Sequence, residues 1–189
     1  MPHIAIISPS VRKGRISHRV ALYFRDFLKE KKIEIELLDL MMYNFPVFEE
    51  RLKYIESPSA LMIDFAGKIK AADGVIIITP EYNGGYPASL KNVVDLLTDE
   101  WRRKPVVFVT VSNGNFAGTQ VITSIQFALW KLGAITVPST LRLPNITTAF
   151  DESGMPAGKA ELDKKATTLV DDLLWFIEAK KRMDTRRNP

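Results

Sequence analysis

The stretch Gly74–Asn92 reads GVIIITPEYNGGYPASLKN. Its opening run, GVIIIT, is apolar almost throughout and fits a strand buried on both faces of a sheet. From Ala88 the spacing changes: Leu90, Val93, Val94 and Leu97 fall on one side of a helix. Between strand and helix lies a loop with two prolines, two tyrosines and a Gly-Gly pair. A buried strand leading through a short loop into an amphipathic helix is the unit from which parallel sheets are built.

The same alternation extends in both directions. His3–Ser8 (HIAIIS), Ile33–Leu40 (IEIELLDL), Pro105–Val111 (PVVFVTV) and a run beginning at Ala134–Pro138 predict four further strands. Helical spacing predicts helices from Ser17, from 57 to 72, from 119 to 132 and from 162 to 180. Residues 41–57 and the stretch from 138 to 158 show no regular period. The reading is an α/β fold: a flavodoxin-like three-layer sandwich, with a five-stranded parallel sheet in order 2-1-3-4-5 and helices on both faces. One domain is expected over 1–180, followed by a basic tail at 181–189. A ligand of such a sheet lies outside the carboxyl ends of the strands, beside the switch point between strands 1 and 3. The loops after strands 1, 3 and 4 open there.

Composition narrows the chemistry. The 189 residues include no cysteine, which excludes disulfides, a thiolate nucleophile, iron–sulfur clusters and thiolate zinc sites. Two histidines, His3 and His18, are too few for a His-rich metal centre, and no metal is expected. No apolar run approaches the roughly 18–20 residues of a membrane span. The N-terminus lacks the basic region of a signal peptide. A cytoplasmic protein with no membrane or nucleic-acid partner is the expectation. The net charge of +4 resides in residues 180–189, where Lys180, Lys181, Arg182, Arg186 and Arg187 oppose Asp184 alone. The rest of the chain is balanced, so the tail reads as a solvated terminus, dispensable to the core.

Three loops carry candidate chemistry. The first, Ser8–His18, combines hydroxyls, Gly14 and three cations ahead of a helix, a combination suited to a phosphate. Ser10, Arg12 and Ser17 are its candidate ligands. The plain alternative is a polar loop with Ser17 as the helix N-cap. Neither the dinucleotide glycine fingerprint nor the P-loop pattern occurs. The second loop, Thr79–Pro87, can bring backbone amides close to a planar heterocycle, or be a tight turn with packed tyrosines. The third, Ser112–Gly118, is small and polar, and can supply hydrogen bonds or simply connect strand to helix. His18 can add charge to the first loop or be structural. Glu81 and Lys91 read as braces.

Ser10-Val11-Arg12-Lys13-Gly14 with Ser17, and then Pro80-Glu81-Tyr82-Asn83-Gly84-Gly85-Tyr86-Pro87-Ala88-Ser89-Leu90-Lys91-Asn92, resemble the NAD(P)H-dependent FMN reductase family of flavodoxin-like proteins. The resemblance spans about residues 3–180. It implies FMN as cofactor, with NADPH or NADH as co-substrate. Its phosphate would be held by Ser10, Arg12 and Ser17. Its isoalloxazine would lie against Pro80, Glu81, Tyr82, Asn83 and Gly84, with Ser112, Asn113 and Gly114 at the pyrimidine edge. It further implies hydride transfer from the nicotinamide through the flavin to a small-molecule acceptor: free flavin, a quinone, an azo compound or a metal oxyanion. No protein acid or base is implied. A homodimer or homotetramer is implied, and the apolar segment Met41–Phe48 (MMYNFPVF) near the mouth agrees with it. Four departures from the pattern stand out: Pro9 where glycine is usual, Ser17 where asparagine is common, and Asn113 and Ala117 where glycine is frequent. The competing reading is a flavodoxin-type FMN electron carrier without nicotinamide activity, against which the balanced core charge and Arg12 count.

Overall fold

The computed structural model describes residues 1–187. Its sheet has five parallel strands: β1 (His3–Ser8), β2 (Glu34–Asp39), β3 (Gly74–Pro80), β4 (Pro105–Val111) and β5 (Ile135–Leu143). Their order is β2-β1-β3-β4-β5, the flavodoxin-like order expected. The main helices are α1 (Ser17–Glu30), α3 (Ala60–Ala71), α4 (Ala88–Leu96), α5 (Thr119–Lys131) and α7 (Lys159–Arg187). Two four-residue helices were not expected, α2 (Leu40–Tyr43) and α6 (Ile146–Ala149).

The continuously apolar strands serve two cores at once, because successive side chains point to opposite faces. Ile4 and Ile6 of β1, Ile76 and Ile78 of β3, and Val107 and Val109 of β4 face α1 and α7. Ala5 and Ile7, Val75 and Ile77, and Val106 and Phe108 face α3, α4 and α5. Phe24 fills the first core, and Phe65 and Trp101 the second, all fully buried. This double burial fixes the register of the central strands and with it the heights of the three loops at their carboxyl ends.

Two expectations are corrected at the end of the chain. The fifth strand does not stop near Pro138 but runs on to Leu143. Thr136 pairs with Val106 and Thr140 with Phe108, so the ladder slips around Pro138. β5 lies at the sheet edge, where a residue without an N–H is tolerated at a bulge. The closing helix starts at Lys159 and continues to Arg187, so the basic stretch 180–187 is helical rather than a loose tail. Its charges are spaced for (i, i+4) pairs, Glu178 with Arg182 and Lys180 with Asp184, each at 2.7 Å. Lys181 reaches across to Asp73 at 2.7 Å, and Asp73 also accepts the backbone N–H of His3.

Candidate functional site

The loops after β1, β3 and β4 meet around a cleft of about 260 Å³ at the carboxyl edge of the sheet. Ser10, Arg12, Ser17, Pro80, Glu81, Tyr82, Ser112 and Asn113 line it. Asn83, Gly84 and Gly114 are exposed and do not line it.

The first loop places its donors unevenly. Ser10 and Ser17 are buried, at 1% and 5% exposure, yet both border the cleft. The N-cap of α1 is Ile16, not Ser17, and no side chain among the described residues caps that end. The unpaired N–H groups of an uncapped first turn, with the helix dipole behind them, attract an anion. Arg15 is not solvent-facing: its guanidinium grips the Asp39 carboxylate at the end of β2 with both terminal nitrogens, and donates to the Ser10 carbonyl at 2.8 Å. On Asp39, burial alone would raise the pKa. The bond from Arg15, the Met41 N–H and the nearby charges of Arg15 and His18 outweigh it and hold the carboxyl below its usual range. Arg12, by contrast, has no carboxylate partner among the described residues, and its guanidinium lies over the Tyr82 ring, 5.5 Å from the centroid.

His18 belongs to the supporting layer. Its Nδ1 lies 3.0 Å from Ser8 Oγ and 3.8 Å from Asp39 Oδ2. Burial, helped by Arg15 and Arg25, lowers its pKa despite Asp39. It is therefore neutral near pH 7 and adds no charge to the cleft. Pro9, which has no amide hydrogen, contributes its carbonyl instead, accepting from Ser89 Oγ on α4.

The second loop is a tight hairpin. Tyr82 and Gly85 exchange both backbone bonds, at 2.8 and 3.1 Å, and Asn83 and Gly84 between them sit at φ 52° and 80°. Asn-Gly with both residues at positive φ is the pattern of a two-residue I′ turn. Asn83 and Gly84 at the tip are exposed, while the Tyr82 hydroxyl lies 2.7 Å from Ser10 Oγ. Glu81 accepts the N–H of Val121 at 3.1 Å in the first turn of α5. Its carboxylate is occupied as a helix cap, consistent with a brace. Asn92, which closes the Pro80–Asn92 motif, holds the segment before α3 with both ends of its amide, to the Pro46 carbonyl and the Phe48 N–H.

The third loop turns sharply. Ala117 adopts φ 51°, a conformation glycine takes without penalty. Thr110 Oγ1 donates to its carbonyl at 2.6 Å and holds it there. Asn113 does not reach inward with its amide oxygen, which accepts the Thr147 N–H and hydroxyl and ties the loop to α6. Ile146 of α6 completes the wall of the cleft. Sequence reading missed Asp39 and Ile146; the expected 2-1-3 strand order did place the end of β2 beside the first loop, a signal sufficient to find Asp39.

Among the described residues, no group of three or more His, Cys, Asp or Glu side chains could hold a metal, and no helix is long and apolar enough to cross a membrane. The family model for NADPH-dependent FMN reductase matches residues 2–148. An NAD(P)H-dependent FMN reductase of Schizosaccharomyces pombe is 34% identical over 156 residues, covering 80% of this chain and 76% of its own. An NADPH azoreductase of Bacillus sp. is 26% identical over 177 residues, covering 93% and 90%. In structure, the NAD(P)H:acceptor oxidoreductase FerB of Paracoccus denitrificans superposes with a TM-score of 0.75 at 19% identity, covering 94% of this chain and 98% of its own.

Proposed function

The chain belongs to the NADPH-dependent FMN reductase family, and from that premise we propose that its cleft holds FMN and that the loaded protein oxidises NADPH or NADH and reduces a small-molecule acceptor. The observation that carries the cofactor assignment is the uncapped start of α1 beside two buried hydroxyls and Arg12, which has no carboxylate partner among the described residues. That donor set suits a dianionic phosphate. Ser10, Arg12 and Ser17 are assigned to it, with the first-turn amides of α1.

Bound FMN supplies the hydride and electron chemistry. The protein supplies position and shielding. Pro80–Tyr82 and Ser112–Asn113 all line the cleft, and they are assigned to the face and the pyrimidine edge of a planar ring. Glu81 keeps these residues in register by fastening the second loop to α5. Asn83 and Gly84 are assigned to the ring through their turn backbone, and Gly114 through the third loop. No residue of the cleft is required to move a proton at a carbon centre, so no catalytic acid or base is assigned.

We further propose a homo-oligomer and a cytoplasmic location. Met42 and Val47 are 77% and 81% exposed beside a cleft of about 410 Å³ under residues 45–57, an apolar face suited to a second copy. Tyr43 contributes nothing to that face, being buried with its hydroxyl on Asp64. Sedimentation of the FMN-loaded protein above the 21.3 kDa of one chain is the expected result.

The function is tested by colour. A yellow preparation should bleach with NADPH under nitrogen and recover when an acceptor is added. A yellow preparation inert to both nicotinamides would make the chain an electron carrier instead.

A further inference from the structure

We infer that Phe116 is a specificity-determining residue of the acceptor site, an aromatic platform that selects planar aromatic acceptors; the inference rests on the reductase reading above. Phe116 is 87% exposed, the most exposed aromatic side chain in the protein's apolar surface. The other bare rings are accounted for. Phe127 packs on Trp130 at 5.8 Å, Trp175 on Phe176 at 5.0 Å, and Tyr54 carries Lys53 over its face. Phe116 has no ring or cation partner among the described residues.

Its backbone, in contrast, is firmly held. Ser112 Oγ and the Ala117 N–H both donate to the Gly114 carbonyl, Thr119 Oγ1 donates to the Phe116 carbonyl itself, and Thr110 Oγ1 to that of Ala117. The loop leaves the sheet at the cleft-lining pair Ser112–Asn113 and returns at Gly118. A Cβ on Gly118 would lie 3.5 Å from Glu81 Cβ, and Glu81 is itself a cleft residue. One foot of the loop thus lines the cleft and the other packs beside a cleft residue, with Phe116 exposed between them. A bare ring on a braced loop has its backbone entropy already removed, so a flat π-face can stack on it at little further ordering cost. Non-aromatic acceptors gain nothing from such a ring.

The test compares the FMN-loaded wild type with Phe116→Ala, Phe116→Leu and Phe116→Trp. Two readouts are used. Calorimetry of the oxidised protein with menadione, without nicotinamide, reads acceptor binding alone. Steady-state kinetics with NADPH compares menadione with ferricyanide, which has no π-face to stack. Phe116→Ala should weaken menadione binding and raise its KM by roughly 5- to 100-fold, the range of lost stacking contacts. Ferricyanide kinetics, FMN affinity and sedimentation should stay unchanged, Phe116→Trp should behave as wild type, and Phe116→Leu should fall between. Equal losses for both acceptors, no loss for either, or a change in oligomeric mass would overturn the inference. A wild type that binds FMN and oxidises NADPH but shows the same KM in every variant overturns it while leaving the reductase reading intact. A wild type that takes up no FMN overturns that reading, and this inference with it.

Discussion

The Tyr82 hydroxyl lies 2.7 Å from Ser10 Oγ, across 72 residues of chain. This bond joins the loop assigned to the phosphate to the loop assigned to the ring. With Tyr82 donating, the serine hydroxyl keeps its own proton for an anion, so two donors act in series. Tyr82→Phe should weaken FMN binding about 5- to 10-fold, for the loss of one hydrogen bond of about 1 kcal/mol. Fluorescence titration of the apo protein checks it. Riboflavin, which has no phosphate, should lose less than half that factor.

Arg15 is taken by Asp39, which leaves Arg12 and Lys13 as the cleft-lining cations of this loop without a carboxylate partner among the described residues. Because Arg12 is exposed, its bond to phosphate should be worth the lower end of the charge-assisted range, about 1.5–2 kcal/mol. Arg12→Ala should weaken FMN about 10- to 30-fold and leave riboflavin nearly unchanged. Arg15→Ala should act differently. It strands the Asp39 carboxylate, so it should lower Tm and weaken both ligands together. Titrations with the two flavins separate the cases.

Lys104 gives a pH signature away from the cleft. It is 7% exposed, and its Nζ donates to the carbonyls of Lys70 and Ala72 at the end of α3. Burial, reinforced by Lys180 and opposed by Asp73 and Glu100, brings its pKa down to about 8. In the unfolded chain it stays protonated up to about 10.4. Between these values unfolding takes up a proton, so this group makes stability rise with pH above 8. Buried Tyr43, whose pKa is pushed up to about 12, acts in the opposite direction once the unfolded tyrosine ionises near 10. The window is therefore pH 7.5–9.5. Urea denaturation there should show wild type gaining about 1–2 kcal/mol relative to Lys104→Met.

Gly154 is locked by its neighbours. It sits at φ +91°, and a Cβ there would meet the Arg19 carbonyl at 2.6 Å and the Tyr23 amide at 3.0 Å, both backbone atoms of α1. Gly154→Ala should cost about 2–4 kcal/mol, adding strained φ to overpacking. Denaturant midpoints measure this. Gly14→Ala, with φ +67° but open space around it, should lose only the strain, about 1–2 kcal/mol.

What sequence carried and what it did not separate along physical lines. Apolar runs such as GVIIIT announce double burial, and the alternation of strands and helices gave the sheet order. Asn83-Gly84 sits in a turn whose chemistry is local. The partners of Glu81 and Arg15 are tertiary: Val121 is 40 residues from one and Asp39 is 24 from the other. No local pattern announces such pairings. Beyond Pro138 the sequence of β5 shows no regular period, yet at a sheet edge the proline only shifts the register. The end of α7 carries no apolar signal at all. Its apolar stripe ends at Ile177, but ion pairs at helical spacing carry the helix on to Arg187.

Two helices, α1 and α5, begin beside the same cleft, and each presents a positive pole there. The Glu81 carboxylate already sits on the pole of α5. The pole of α1 has no capping side chain among the described residues. An elongated molecule with one charged end thus meets one pole already neutralised by a carboxylate and one whose donors can still take its charge. The chain has built polarity into the cleft with a single carboxylate, and the direction in which such a molecule must lie is decided before it arrives.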